Sequence, residues 1–129
     1  MTRRVLFVDD EPHVLDGLRR TLGRRIAADF AVGAREGLKF VAGQGPYALV
    51  VSDMRMPGMS GAAFLGEVRR QSPLTTRMIL SGQSDVEATI QAVNEGQLFR
   101  FLTKPCNPDA LIGAVNDGLA QYELVVAEK

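Results

Sequence analysis

The chain has 129 residues, 46% of them hydrophobic and 23% charged, and its fifteen basic side chains equal its fifteen acidic ones. This length and composition are those of a single globular domain and exclude a disordered chain or one that spans a membrane. The absence of net charge excludes a general electrostatic attraction to nucleic acid or to an anionic membrane surface.

The start of the chain does not carry the pattern of an export signal. The apolar run Val5 to Val8 follows Arg3 and Arg4, but acidic residues end it before it reaches the length of a signal-peptide core. The single cysteine, Cys106, has no second cysteine for a disulfide or a thiolate metal site, so we interpret it as a small hydrophobic residue. We therefore expect a cytoplasmic location.

Five short apolar segments, rich in β-branched and aromatic residues, recur along the chain. They are continuous rather than alternating, which is typical of strands buried on both faces of a parallel sheet. The predicted strands are Val5 to Val8, Phe30 to Val32, Ala48 to Val51, Met78 to Leu80 and Leu98 to Leu102.

A segment with helical spacing follows each predicted strand. Ser84 with Glu87 forms a capping-box pattern before the fourth helix, and Asn107 with Pro108 is an N-cap and N1 pair before the fifth. The second helix, around Ala34 to Val41, is weakly signalled because glycines crowd it. The apolar positions of the other helices are Val14, Leu15, Leu18 and Leu22; Leu65 and Val68; Val86, Ile90 and Val93; and Leu111, Val115, Leu119, Tyr122 and Val126.

This alternation of strands and helices predicts an α/β fold. With right-handed crossovers, it gives an open, doubly wound sheet of five parallel strands with helices on both faces. In such sheets, ligands bind beyond the carboxyl ends of the strands. The residues at those ends are therefore the first candidates for a functional site.

Polar side chains stand at four of the predicted strand ends. Asp9 and Asp10 follow the first strand, Asp53 the third, Ser81 the fourth and Lys104 the fifth. Two carboxylates 4 Å apart repel by about 1 kcal/mol in water and by about 4 kcal/mol at an intermediate dielectric, so the cluster requires cations. Lys104 supplies one positive charge, and an open, all-oxygen site suits Mg²⁺. We predict a magnesium site with Asp53 as the nucleophile that accepts a phosphoryl group.

These strand ends resemble the receiver domain of two-component response regulators, a family of phospho-aspartate switches. The stretch "VLFVDDEP" resembles the family's acidic pair, "ALVVSDMRMPGMSG" its phosphoacceptor strand and loop, "MILSGQ" its hydroxyl strand and "FRFLTKP" its lysine strand. Each motif alone is weak, but the four in this order are specific and cover essentially the whole chain. The resemblance implies a flavodoxin-like, three-layer α/β/α fold.

The resemblance implies a role for each matching residue. Asp10 and Asp53 would bind Mg²⁺ directly, together with the backbone carbonyl of Arg55, and Asp9 would act mainly through a metal-bound water. Asp53 would accept the phosphoryl group from a phosphohistidine of a histidine kinase or histidine phosphotransfer protein, or from a small phosphodonor. Lys104 and Ser81 would then each bind a phosphoryl oxygen.

A conformational switch is also implied. After phosphorylation, the Ser81 loop would move inward and Phe101 would turn toward the interior, changing the face of the fourth helix, fifth strand and fifth helix, where family members dimerise or meet outputs. Arg55 and Gln83 occupy positions that tune the lifetime of the acyl phosphate in this family. The peptide between Lys104 and Pro105 would be cis. Family members often have threonine and tyrosine at the positions of Ser81 and Phe101.

The last predicted helix could run for 22 residues, about 33 Å, which is longer than packing on the sheet requires. We therefore expect residues 1–122 to form the receiver and 123–129 to lead toward an output domain. The C-terminal stretch also resembles receivers joined to HD or HD-GYP phosphohydrolase domains or to histidine kinases. We expect an output or partner protein at the switch face, with a homodimer as another use of it, and no direct nucleic-acid or membrane partner.

Two other functions remain open at this point. One is a magnesium-dependent phosphatase of the haloacid-dehalogenase type, although such enzymes carry D-x-D after the first strand, whereas Asp9 and Asp10 are adjacent here. The other is a degenerate receiver that acts only as a binding module, against which the complete acidic, hydroxyl and lysine set argues. In the favoured interpretation, the domain is not an enzyme beyond catalysing its own phosphorylation and dephosphorylation.

Overall fold

The computed structural model describes residues 2–82, 87, 90–91, 98–104 and 106–128. Of the predicted fourth helix, Glu87, Ile90 and Gln91 are helical, and the predicted positions Ser84, Val86 and Val93 lie outside the described residues. The elements with defined bounds are β1 (Val5–Asp9), α1 (Pro12–Leu22), β2 (Ala28–Val32), α2 (Ala34–Gln44), β3 (Leu49–Asp53), α3 (Gly61–Gln71), β4 (Thr76–Ser81), β5 (Arg100–Thr103) and the C-terminal helix α4 (Pro108–Ala127).

The five strands form one parallel sheet in the order β2-β1-β3-β4-β5. This order confirms the predicted doubly wound, flavodoxin-like sheet, whose strand sequence reverses direction between β1 and β3. In register, Asp53 pairs with Leu80, and Ser81 pairs with Thr103. The polar strand ends therefore meet at one edge, which we call the carboxyl edge; the opposite edge is the amino edge.

The sheet is buried on both faces. Successive strand residues point to opposite sides, so in β1 Val5 and Phe7 contribute to one core and Leu6 and Val8 to the other. All four are at most 2% exposed. The first core cluster lies under α1 and α4, and the second lies under α2 and α3. This two-sided burial explains why the strands are continuous apolar runs.

Helix α2 is regular although its sequence signal is weak. A Cβ at Gly37 would lie 2.9 Å from the ring of Phe64 and 3.0 Å from Val8, so this glycine permits close packing of α2 rather than marking a break. Strand β5 begins at Arg100, two residues later than predicted. Leu98 is nevertheless buried, because an apolar residue signals burial and not strand pairing.

The C-terminal helix begins as predicted. The side-chain oxygen of Asn107 accepts hydrogen bonds from the backbone N–H of Asp109 at 2.8 Å and of Ala110 at 3.3 Å, and Pro108 occupies the first turn. The helix continues for 20 residues to Ala127. In the described part of the chain, no helix combines the length and apolarity needed to span a membrane.

The packing of α2 gives a test of the fold. We expect Gly37→Ala to lower the free energy of unfolding by about 1–3 kcal/mol, because Phe64 is fully buried and cannot easily yield. Gly66→Ala in α3 is the matched control: a Cβ there meets no atom within 4 Å, so helix propensity should raise stability by up to about 1 kcal/mol. Urea denaturation measures both, and equal effects would contradict the packing role.

Candidate metal site at the carboxyl edge

A lysine ammonium joins two carboxylates at the carboxyl edge. Lys104, directly after β5, places Nζ 3.0 Å from Oδ2 of Asp9 and 3.0 Å from Oδ1 of Asp53. The side chains of Asp9 and Asp53 are only 4% and 11% exposed, and that of Lys104 is 29% exposed. Residues remote in sequence are thus brought together in a largely buried ionic cluster.

Asp10 completes a group of three acids. One carboxylate oxygen from each of Asp9, Asp10 and Asp53 lies within 4.8 Å of the others. When all three are ionised, Lys104 offsets one of three negative charges, which leaves an excess of two. A divalent cation would balance that excess, and the all-oxygen donor set suits Mg²⁺.

Asp9 already has protein partners on both carboxylate oxygens. Its Oδ2 accepts from Lys104, and its Oδ1 accepts from the backbone N–H of Glu11 at 3.0 Å. These bonds hold Asp9 in place and use one acceptor position on each of its oxygens, whereas the hydrogen bond from Lys104 to Asp53 is made to Oδ1. This geometry favours Asp53 over Asp9 as a direct ligand of a metal ion.

The cluster changes the proton affinity of its members. Burial raises the pKa of Asp53 above its ordinary value, the charges of Asp9 and Asp10 raise it further, and the hydrogen bond from Lys104 opposes this only in part. Burial alone would lower the pKa of Lys104, but the hydrogen bonds and charges of Asp53 and Asp9 outweigh it, so that this pKa is raised. The ammonium therefore stays charged at neutral pH.

Ser81 lies beside the cluster at the end of β4. The residue is fully buried, and its hydroxyl donates to the carbonyl of Gly82 at 2.9 Å. Its own carbonyl accepts from the backbone N–H of Lys104 at 2.7 Å. This main-chain bond holds the predicted hydroxyl and lysine residues next to each other.

The structure describes two of the remaining predicted residues, Phe101 and Arg55. Phe101 is half-buried in β5, pairs in register with Ile79 and packs against the second core cluster. Arg55 is exposed and, with Asp10, lines an open groove of about 730 Å³ along the β3–α3 loop. Gln83 lies outside the described residues, and so does the Lys104–Pro105 peptide, because Pro105 is not described.

Gly61 is a positioning residue that the sequence alone does not reveal. It begins α3, and a Cβ there would lie 2.1 Å from the backbone carbonyl oxygen of Asp53. Its N–H donates to the carbonyl of Met54 at 2.7 Å, which closes the β3–α3 loop. In the sequence, a glycine at the start of a helix could equally belong to a flexible loop. Only the fold shows that the backbone of Asp53 lies close to Gly61.

The acid cluster predicts an effect of metal on stability. We expect Mg²⁺ to stabilise the fold, by about 2.7 kcal/mol at one hundred times its dissociation constant, and Asp10→Asn to remove most of this gain. Without metal, Asp10→Asn should raise the free energy of unfolding by about 1 kcal/mol, because it relieves carboxylate repulsion. Thermal melts with and without MgCl₂ measure both effects. Asp16→Asn on the exposed side of α1 is the control, and an identical Mg²⁺ response in the two variants would contradict the site.

The contact of Gly61 predicts a coupled loss of stability and metal binding. Gly61→Ala should cost about 2 kcal/mol or more, because only a backbone shift can relieve the clash with Asp53, and that shift would also weaken the Mg²⁺ response. Gly43→Ala in α2, where a Cβ meets nothing within 4 Å, should leave the Mg²⁺ response unchanged. The same melts test this, and a normal Mg²⁺ response in Gly61→Ala would show that the glycine does not position Asp53.

Comparisons with known proteins agree on one family. A family model for the response regulator receiver domain matches residues 5–116. The hydrogenase transcriptional regulatory protein HoxA of Cupriavidus necator is 38% identical over 115 residues, which are 89% of this chain and 24% of that protein. The chain thus spans about a quarter of the length of this curated relative.

Solved structures show the same similarity. A crystal structure described as adenylate cyclase from Rhodopirellula baltica has a TM-score of 0.95 and 36% identity, covering 99% of this chain and 95% of that one. The signal receiver domain of an HD domain-containing protein from Pseudomonas fluorescens Pf-5 has a TM-score of 0.86 and 30% identity, covering 95% and 98% of the two chains.

Proposed function

The chain belongs to the response regulator receiver domain family, and we propose that it is a phosphoacceptor switch in which Asp53 takes a phosphoryl group from a histidine kinase or a histidine phosphotransfer protein. One observation carries the proposal: a single ammonium, on Lys104, lies 3.0 Å from the carboxylates of both Asp9 and Asp53. This arrangement holds the acceptor oxygen next to a cation that can neutralise an incoming phosphoryl group.

In the proposed transfer, a carboxylate oxygen of Asp53 attacks the phosphorus of a phosphohistidine. The new P–O bond forms as the P–N bond breaks, and the imidazole leaves with the bonding pair and takes up a proton. Asp10, Asp53 and the backbone carbonyl of Arg55 would hold Mg²⁺, with Asp9 acting through a metal-bound water. Bound Mg²⁺ would neutralise charge on the phosphoryl oxygens.

Two side chains would exchange partners once the acyl phosphate forms. Lys104 would turn one of its hydrogen bonds from a carboxylate to a phosphoryl oxygen, and Ser81 would release the carbonyl of Gly82 to donate to another. The movement of Ser81 would give Phe101 room to turn inward. This would change the face made by the helix predicted between β4 and β5, by β5 itself and by the C-terminal helix α4. Arg55 and Gln83 would tune the lifetime of the acyl phosphate.

The output of the switch is a separate part of the proposal. We expect residues 1–122 to be the receiver and 123–129 to lead toward an output domain or partner. Support comes from α4, which continues past the buried Tyr122 to a highly exposed Leu124. The relatives named above are a transcriptional regulator, an adenylate cyclase and an HD domain-containing protein, so similarity does not choose among outputs. We propose a cytoplasmic location, which fits membership of the receiver family.

Membership of the receiver family favours the phosphoacceptor switch over the haloacid-dehalogenase-type phosphatase that the sequence left as an alternative. Beyond its own phosphorylation and dephosphorylation, we propose no enzymatic activity for the domain. The binding-module alternative is disfavoured because Lys104 contacts both Asp9 and Asp53, and a carboxylate oxygen of Asp10 lies within 4.8 Å of those of the other two acids.

Phosphorylation by a small donor tests the proposal. Incubation with acetyl phosphate and Mg²⁺ should add one phosphoryl group to the chain, and Asp53→Asn should abolish the addition because the nucleophile is gone. Intact-mass measurement detects the product, and Asp16→Asn should be labelled like the wild type. An unlabelled wild-type protein that still responds to Mg²⁺ would indicate a binding module, and sustained turnover of a phosphomonoester would indicate a phosphatase.

A further inference from the structure

Four arginines occupy the end of α1 and the turn that follows it. Arg19, Arg20, Arg24 and Arg25 are all exposed, and we call them the α1 arginine cluster. Within the described residues, the ion pairs formed by arginine involve other members of the chain, namely Arg3, Arg4, Arg70 and Arg100. A chain with no net charge therefore concentrates four positive charges, without carboxylate partners among the described residues, within seven positions.

Local structure accounts for only part of this cluster. Arg19 and Arg20 lie in the last turn of α1, where positive charge is favourable to the helix dipole. Arg25 donates to the carbonyl of Thr21 at 3.1 Å, and the guanidinium of Arg19 lies 4.7 Å from the centre of the Phe30 ring. These contacts involve Arg19, Arg20 and Arg25, and none of them involves Arg24. Because four like charges lie this close together, they repel one another and lower stability.

A pocket adjoins the cluster at the outer strand of the sheet. We call it the α1–β2 pocket; it has a volume of about 340 Å³, and its lining includes Arg19, Asp29, Phe30 and Phe40. Its one carboxylate, on Asp29, accepts from Arg4 at 2.5 Å and from the Tyr47 hydroxyl at 2.6 Å. Because Arg4 balances that carboxylate, the charge that Arg19 adds to the pocket is uncompensated.

We propose that the α1 arginine cluster and the α1–β2 pocket together form a docking site for an acidic peptide segment that carries one large apolar side chain. Carboxylates of the segment would pair with the arginines, and its apolar side chain would enter the pocket beside Phe30 and Phe40. Charge complementarity of this kind sets orientation and association rate, and a buried apolar anchor supplies most of the affinity.

The observations favour a peptide over a nucleic acid. A nucleic-acid surface usually needs a broad basic stripe on a basic domain, whereas this chain is neutral and the cluster is confined to residues 19–25. The adjoining pocket is concave and has room for a large apolar side chain. A short acidic segment satisfies both features.

The site lies away from Asp53. Helix α1 starts at Pro12, next to the carboxyl edge, and ends at Leu22, so its last turn is at the amino edge. Eleven residues of helix separate the two by about 16 Å. A peptide bound there would leave the metal site open, and its binding should be independent of phosphorylation. The proposal therefore does not rest on the proposed function.

Fluorescence anisotropy tests the site with a fluorescein-labelled peptide of eleven residues, in which a central phenylalanine is flanked by five Glu or Asp residues on each side. We expect the variant Arg20→Gln/Arg24→Gln to bind at least about fivefold more weakly than wild type at 0.1 M salt. The matched control, Arg69→Gln/Arg70→Gln at the end of α3, removes the same charge from the same edge and should change affinity by less than about twofold. Asp53→Asn should bind like the wild type.

A change in the peptide tests the pocket without altering the protein. Replacing the central phenylalanine by alanine should weaken binding at least about fivefold. The proposal would be overturned if the two double arginine variants lost peptide affinity equally, or if the alanine peptide bound as tightly as the phenylalanine peptide. It would also be overturned if the wild-type protein did not bind the peptide at millimolar concentration. Tighter binding of a single-stranded oligonucleotide of the same charge would overturn it in favour of a nucleic-acid surface. Circular dichroism of both variants verifies that they are folded.

Discussion

The bridge from the Lys104 ammonium to Asp9 and Asp53 places the strictest demand on this fold, because it requires three strands to end within reach of one nitrogen atom. Strands β1 and β3 are neighbours, but β4 separates β3 from β5, so that β5 and β3 lie about 10 Å apart. Only a long side chain crosses that gap. The intervening strand β4 ends in Ser81, whose side chain is short.

The same cluster is unfavourable unless the rest of the molecule holds it together. Three carboxylates around one ammonium carry excess negative charge, and burial weakens the screening that water would supply. Two apolar cores, one on each face of the sheet, fix the strands regardless of this repulsion. Gly61 adds a local constraint, since its contact with the Asp53 carbonyl leaves the β3–α3 loop little freedom. Stability in the cores thus maintains a strained charge arrangement at the edge.

The sequence predicts the parts of this arrangement that depend on pattern. Continuous apolar runs located the strands, and the rule for parallel sheets placed Asp9, Asp53 and Lys104 at one edge. Contacts between distant backbones are not encoded in such patterns. Gly37 and Gly61 therefore read as breakers or loop residues, although both permit close packing. The sequence also does not show that the α1 arginines lack carboxylate partners among the described residues, because it gives the charges without showing which of them form ion pairs.

The geometry also suggests how a change of state would travel. Phosphorylation would redirect Lys104 and Ser81, which stand on the β4 and β5 side of the sheet, where Phe101 is only half-buried. On the other side, β1 is buried over its whole length, and Phe7 stacks on Phe30 of β2 with ring centroids 5.6 Å apart. A closely packed core transmits a movement of side chains or backbone poorly unless its residues can pack in a second arrangement. We therefore expect the β5 side to report the phosphorylation state, while the α1–β2 pocket keeps the same shape in both states.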